Sequence, residues 1–433
     1  MLPFRFIHAA DLHLDSPFTG MSGISDLLRK HLRQSTFAAL ERMVGLAVSE
    51  RVDFIVISGD VYDSAQTSLR AQLRLAEALE TLHREGIGVY LIHGNHDPLD
   101  SPRLAVTLPP NVHVFGSEPE SVTARRRDGR EAAVISGMSY PTAKVTENIA
   151  LGYPANRDNP ELFHIAMLHA NVDGDQAHET YAPCTKRDLI SKGCDYWALG
   201  HIHSRRILNE SPYIVYPGNI QGRNIRETGP KGCYLVSVNE NGKAALTFHE
   251  LDTVRWFRME APIDGFDQVE AWRLELDRLV AELSATHHSR LSIVRIAVTG
   301  RGPLHRQLED GFILDDLKSE LRRSAESKAA TGGFGGCVWI ESFVPEFGAE
   351  VDWERLRTED SFNGELLRLA EAELEGHMES ELVSHALRPL LDQAEIRSLL
   401  SAVTPDEQRE WLRRAVELTT LLLQEQGGGG ETA

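Results

Sequence analysis

Two histidines two positions apart, His201 and His203 in LGHIHSRR, follow the apolar run CDYWA directly. Four other stretches carry similar side chains: ADLH (Asp11, His13), SGDVYD (Asp60, Asp63), HGNHD (Asn95, His96, Asp97) and MLHAN (His169). Imidazole, carboxylate and amide oxygen without thiolate form a donor set for Mn²⁺, Fe or Zn²⁺ rather than for a soft metal. The candidate ligands Asp11, His13, Asp60, Asn95, His169, His201 and His203 are too many for one tetrahedral site. They suit two cations that share a carboxylate. Singly, each piece has an ordinary explanation as a turn, a loop or a packed histidine. Their order and placement together leave that explanation little room. Residues i and i+2 of an extended segment face the same way, so Asp11 with His13, and His201 with His203, are expected to reach one centre. Asn95 and His96 are adjacent and are expected to face apart, one to metal and one to substrate.

Each motif follows a strand-like run: FRFIHAA, DFIVISG, IGVYLIHG, Phe163 to Leu168, and Asp195 to Leu199. Runs apolar throughout are expected of parallel strands buried on both faces. In open α/β sheets, sites form beyond the carboxyl ends of such strands, where separate loops converge. Helical spacing covers Ile24 to Glu50 and roughly Leu69 to Arg84. Further strands are expected at Ala132 to Ser136, Tyr213 to Tyr216 and Gly232 to Val238, with a hairpin around Asn241-Gly242. Alternation first and hairpins later imply an α/β layer architecture with a mixed sheet or two packed sheets.

Three regions are expected. Residues 1–252 carry the motifs. Residues 253–346 read strand, helix, strand, helix, strand, a small α/β unit. Residues 347–433 look helical and acidic, ending in a Gly-rich tail expected to be disordered. From Glu350 to Ala433 there are 19 acidic and 8 basic residues, so over half of the chain's net charge of −19 lies in its last fifth. That balance excludes a wholly basic, DNA-coating surface but not a local basic groove. Arg205 and Arg206, and Arg223 and Arg226, are candidate phosphate contacts beside the motifs. The four scattered cysteines (Cys184, Cys194, Cys233, Cys337) suggest reduced thiols in a cytoplasmic protein. No apolar stretch approaches the roughly 18 residues of a membrane span.

The ordered set DxH, GDxxD, GNHD, H and GHxH resembles the calcineurin-like metallophosphoesterases, from about Phe4 to Leu251. FIHAADLHLDSP, SGDVYD and YPGNIQGRN, followed by a small α/β unit, are similar to the SbcD-type DNA nuclease subunits, and most of all to their YhaO-like bacterial branch. The resemblance implies an α/β metallophosphoesterase sandwich of mixed sheets flanked by helices, with an α/β capping domain and a helical C-terminal region. It implies one metal on Asp11, His13, Asp60 and His203, and a second on Asp60, Asn95, His169 and His201. His96 would face the phosphate and assist the leaving group, with Asp97 orienting it or its loop. Asp63 stands where many relatives carry histidine, and Asn219 where they have serine; both bear on substrate handling. The cations implied are Mn²⁺ first, then Fe, Zn²⁺ or Mg²⁺. The activity implied is a two-metal phosphodiesterase, a DNA exonuclease or endonuclease subunit in repair, with DNA and an SbcC-type coiled-coil ATPase as partners. A phosphodiesterase for nucleotides or small molecules, and a DNA-end-binding scaffold without turnover, are the alternatives. SbcD-type proteins are commonly dimers, though no dimer signature shows in this composition.

Overall fold

The structure is a computed structural model that describes residues 1–21, 23–63, 68–102, 106–154, 161–174, 179–350, 352–375, 388 and 404–427. Contacts divide the chain into two units. The first comprises Met1–Ala261, Trp272–Val298 and Asp310–Pro345; the second comprises Pro262–Ala271, Thr299–Glu309 and Glu346–Ala433.

The first unit opens with β1 (Phe4–Ala9), α1 (Asp26–Ser49), β2 (Phe54–Ser58), α2 (Leu69–Arg84), β3 (Gly88–Ile92) and β4 (Val112–Val114). Next come β5 (Glu120–Arg125), β6 (Glu131–Gly137), β7 (Phe163–His169), α3 (Lys186–Ser191) and β8 (Tyr196–Gly200). A run of β9 (Arg206–Glu210), β10 (Tyr213–Tyr216), β11 (Gly232–Val238) and β12 (Ala244–Glu250) follows. The strands form two six-stranded sheets, ordered β12-β11-β1-β2-β3-β4 and β5-β6-β7-β8-β10-β9. In the first, β1 to β4 run parallel and β11 and β12 are antiparallel additions. In the second, β6, β7, β8 and β10 run parallel, edged by antiparallel β5 and β9.

Strand period explains the sandwich. Phe4, Phe6, Phe54 and Val56 alternate into the core between the sheets, where they meet Ile165, Met167, Tyr196 and Ala198. The residues between them, Ile7, Ala9, Ile55 and Ile57, face outward beneath α1 and α2 and meet Leu40, Leu75 and Leu79. Ala166, Leu168, Trp197 and Leu199 do the same on the outer face of the second sheet, which α3 covers through Leu189. With both faces buried, the parallel strands are mostly apolar, which is why they read as nearly continuous apolar runs. Polar pins also join the sheets. The Tyr196 hydroxyl donates to His8 Nδ1 (2.9 Å), His8 Nε2 donates to the Leu199 carbonyl (3.1 Å), and Ser58 Oγ donates to the Ala198 carbonyl (2.8 Å). Ser25 and Ser68 cap α1 and α2 by accepting from the N–H three residues on.

The α/β module consists of β13 (Val254–Pro262), α4 (Val269–Thr286), β14 (Leu291–Arg301), α5 (His305–Leu308), α6 (Phe312–Gly332) and β15 (Val338–Gly348). Its sheet, in the order β13-β14-β15, is parallel: Leu291 bonds Thr253 and Ile263 bonds Thr299, so the register rises together. Within the first unit, Trp256, Leu291, Ile293 and Trp339 form one apolar cluster with Leu28 and Leu32 of α1. Where the chain leaves β12, buried Asp252 takes a bidentate contact from Arg255 (2.7 Å to each oxygen). Its carbonyl accepts from Arg42 and Arg290.

In the second unit α7 (Trp353–Thr358), α8 (Phe362–Glu375) and α9 (Pro405–Gly427) are the main helices. Leu356, Leu367 and Leu412 are buried, whereas Leu369, Leu418 and Leu422 are exposed. The Gly-rich tail lies outside the described residues. All four cysteines are free and buried. No helix among the described residues is long and apolar enough to cross a membrane.

Candidate metal centre

All five motifs stand at the carboxyl ends of parallel strands. β1, β2 and β3 lead to Asp11, Asp60 and Asn95; β7 ends on His169, and β8 leads to His201 and His203. The first two loops are zipped together. Asp11 N donates to the Gly59 carbonyl, His13 N to that of Asp60 and Leu14 N to that of Val61, each at 3.0 Å. Asp11, His13, Asp60 and His201 all have positive φ (52°, 42°, 51° and 97°). Asp11 and His13 do reach one centre, but through left-handed kinks and not along an extended segment. Such backbone costs about 1–3 kcal/mol per residue and persists where the surroundings impose it.

The motif glycines make the approach close enough. A Cβ on Gly200 would lie 1.8 Å from the Ser58 carbonyl, and one on Gly59 would lie 2.3 Å from the His169 ring. On Gly94 it would sit 2.4 Å from the Asp60 carboxylate. Only a hydrogen fits at these positions.

Three overlapping groups of His and Asp bring their ligand atoms within 4.8 Å of one another: Asp11-His13-His203, Asp11-Asp60-His169 and His13-Asp63-His96. Asp11 and His13 each belong to two of these groups, and Asp60 lies between, its Oδ2 3.3 Å from His169 Nε2 and 3.8 Å from His13 Nε2. Asn95 Oδ1 lies 3.0 Å from the same His169 nitrogen. His13 Nε2 and His203 Nε2 are 3.1 Å apart. Two nitrogens bound to one cation at about 2.1 Å stand at about that separation, so the donors present fit a shared ion. His201 approaches differently. Its backbone N–H donates to Asp11 (3.1 Å), its ring packs beside that of His169, and its Nε2 donates to the Glu179 carbonyl (2.9 Å), so Nδ1 is the ring nitrogen that could serve a cation.

Outer partners set the rings. His169 Nδ1 donates to the Ser58 carbonyl (2.9 Å) and His203 Nδ1 to Glu227 Oε1 (2.7 Å), which leaves each Nε2 toward the centre. The Tyr140 hydroxyl donates to the His169 carbonyl (2.6 Å). Asn95 and His96 meet different partners, Asn95 at His169 and His96 beside His13 and Asp63. His96 N donates to Asp60 Oδ1 (2.9 Å), and its Nδ1 donates to Asp63 (3.1 Å). Asp97 is wholly buried and accepts from Gly94 N, Val61 N and His93. It holds the loop.

Burial alone would raise both central carboxyls. It does so for Asp11, although His203 and His169 oppose it. For Asp60 the positive histidines and the His169 contact prevail and hold the group well below the usual carboxylate range. Burial opposes charge on His169, yet Asp60 and Asp11 push it up to about 9. A cation bound here would supply positive charge beside Asp11 and Asp60 in place of that proton. Burial likewise works against protonated His96, but the hydrogen bond to Asp63 and the charge of Asp60 outweigh it and raise its pKa.

Among the basic candidates, Arg223 enters the site: its Nη1 donates to Ser16 (3.0 Å) and lies 3.6 Å from Asp63. Arg205 instead stacks on Phe248 of β12 at 4.0 Å, and Arg206 begins the edge strand β9. Asn219 is fully buried, with its amide donating to the Gln221 carbonyl (2.9 Å), so its side chain has no exposed surface to offer a substrate. Sequence reasoning missed Glu227, Ser16 and Lys231, the last donating to the His203 carbonyl (2.8 Å). Burial would raise Glu227, but His203 and Arg223 hold it down to about 2. Its only signal in the sequence is an acid inside an otherwise basic turn, RNIRETG, shortly after PGN.

Comparison with known proteins places these features. Residues 4–205 match the family described as calcineurin-like phosphoesterase, and residues 256–347 match the middle domain of metallophosphoesterase YhaO. The uncharacterized metallophosphoesterase YhaO of Bacillus subtilis is 46% identical over 252 residues, 58% of this chain and 61% of that protein. That match spans less than two thirds of the relative's own length. The DNA double-strand break repair protein Mre11 of Thermoplasma acidophilum is 24% identical over 327 residues, covering 70% of this chain and 79% of that one. The SbcD component of the SbcCD nuclease of Staphylococcus epidermidis is 24% identical over 277 residues, covering 58% and 70%.

Proposed function

Because the chain belongs to the calcineurin-like metallophosphoesterases, on their YhaO-like side and distantly related to Mre11 and SbcD, we propose that it is a two-metal phosphodiesterase acting on DNA, as an exonuclease or endonuclease subunit in repair. The observation that carries the metal part is Asp60, a buried carboxylate within reach of both His13 and His169. On this reading Asp11, His13, Asp60 and His203 hold one cation, and Asp60, Asn95, His169 and His201 hold the other, with Mn²⁺ as the first choice. A pair of divalent ions bound there supplies Lewis acidity toward a phosphoryl group and toward water.

The remaining steps belong to the chain. His96, whose protonated form is favoured by the hydrogen bond to Asp63, would add positive charge beside the phosphoryl oxygens and carry a proton for the departing oxygen. Asp63 fixes the ring through Nδ1. Arg223 adds a second positive group on the same side. Asp97, through Gly94 N and Val61 N, keeps the loops of Asn95 and Asp60 in place. DNA as substrate, and an SbcC-type ATPase as partner, are supported by the names of the distant relatives and by the α/β module that follows the motifs.

The test is hydrolysis of end-labelled duplex and single-stranded DNA with Mn²⁺, beside bis(p-nitrophenyl) phosphate and with Asp60→Asn as control. Release of nucleotides by the wild type alone is the expected result. Turnover of the small diester without DNA cleavage, with or without the ATPase, would replace DNA by a small phosphodiester. DNA binding without any turnover would leave a scaffold.

A further inference from the structure

The segment from Gly218 to Lys231 does more than connect β10 to β11. Gly218 has φ 77°, and a Cβ there would lie 2.8 Å from the His203 carbonyl. The same carbonyl accepts from Lys231 Nζ (2.8 Å). Further along, Glu227 divides its two oxygens. Oε1 accepts from His203 Nδ1 (2.7 Å), and Oε2 accepts from Arg223 N (2.6 Å). The other end of the segment is tied to the start of β13, where Gln221 Oε1 accepts from Thr253 N (2.9 Å) and Gln221 Nε2 donates to the Val254 carbonyl (2.6 Å). The His203 ring is therefore held at its carbonyl and at Nδ1 by one strap, and Glu227 is the strap's contact with the ring.

We propose that Glu227 is a positioning residue of the metal centre: by holding His203 Nδ1–H it turns Nε2 toward His13 and Asp11 and so governs retention of the one cation those three residues share. A carboxylate can only accept, so the contact fixes which ring nitrogen carries hydrogen. The nitrogen left over is the one 3.1 Å from His13 Nε2. Glu227 is buried, at 8% exposure. The inference rests on the two-metal reading and adds a residue that touches neither cation.

The test uses the full chain stripped of metal, as wild type, Glu227→Ala and Glu227→Gln. Mn²⁺ is titrated by calorimetry and followed by electron paramagnetic resonance, which separates coupled pairs from single ions. The wild type is expected to bind two ions. Glu227→Ala should keep the ion of Asn95 and His169 and bind the other about 10–100-fold more weakly, as loss of an outer partner commonly does. Glu227→Gln keeps an acceptor for His203 but sets an amide against Arg223 N–H, and should fall between. Nitrogen-15 spectra of labelled histidine should show the His203 Nδ1–H form in the wild type and a mixture in Glu227→Ala. If Glu227→Ala fails to fold, Glu227→Gln decides. Two ions bound with unchanged affinity, or a loss shared equally by both sites, would overturn the role of Glu227. A wild type that binds no Mn²⁺ would instead overturn the two-metal reading, and this inference with it.

Discussion

The ends of the central strands and the helices after Asp352 handle charge in opposite ways. At the strand ends Asp11, His13, Asp60 and His169 are at most 1% exposed, lie against one another, and three of the four have positive φ. Along α7, α8 and α9 the charges are on the surface, in pairs such as Arg368–Glu365 and Arg414–Glu410, and no residue described there has positive φ. Exposed pairs of this kind contribute little, because water already solvates both partners. Buried charges are expensive without compensation. Their concentration at one rim shows where the molecule keeps an arrangement that stability alone would not select.

The sharpest way to break this contrast is Asp60→Asn. Turnover of any phosphodiester substrate should fall by about 10³-fold or more, since on the proposed two-metal reading both cations lose a ligand. The metal-free protein should stay folded by circular dichroism. Glu410→Ala on α9, measured alongside, should leave the rate unchanged. Next in size is Arg255→Ala, which strips the bidentate partner from buried Asp252 and should cost about 3–5 kcal/mol in urea unfolding. Its surface counterpart, Arg278→Ala, removes contacts to Glu275 and Glu282 and should leave the unfolding midpoint where it was. His96→Asn should lower kcat about 10²-fold while metal content stays at the wild-type level; loss of an ion would make His96 a ligand and redraw the site. The smallest effect concerns pH. Burial holds His8 down to about 3, against an unfolded value near 6.5. The folded-state pKa is depressed, so the unfolded chain takes up the proton first. The stability from neutral His8 is whole above about pH 6.5 and shrinks as pH falls toward 3. Between pH 7 and pH 5 the wild type should lose about 2 kcal/mol more than His8→Gln. Equal slopes would mean that the His8–Tyr196 pin does not exclude the proton.

Much of this was legible in the sequence, for reasons that differ from element to element. α2 is plain from its helical spacing, with Ala71, Leu75, Leu79 and Leu82 on the buried face; the five motif-bearing strands are plain because alternation between two buried faces leaves continuous apolar runs, each followed by candidate ligands. β4, β5 and β9 passed unseen: they are short or lie at sheet edges, so half-exposed sequences such as ESVTAR and RILNE carry no apolar period. The i, i+2 argument brought Asp11 and His13 together for the wrong local reason, since sequence spacing does not register left-handed φ. Glu227 was invisible because its partner lies 24 positions away across a segment that reads as a solvated turn. Arg205 shows the converse: adjacency to His203 suggested a phosphate contact, and Phe248, far along the chain, provides a ring to stack on.

One consequence follows from how the donors are divided. Asp11, His13, Asp60 and Asn95 come from the first sheet, and His169, His201 and His203 from the second. On the proposed ligand assignment neither sheet by itself carries a complete set, so ions bound at this rim would act as rivets that close only once the halves have met. At a hundred times its dissociation constant, such a rivet adds about 2.7 kcal/mol against separation. Chelation would then loosen the sandwich at its working end first, ahead of the opposite rim.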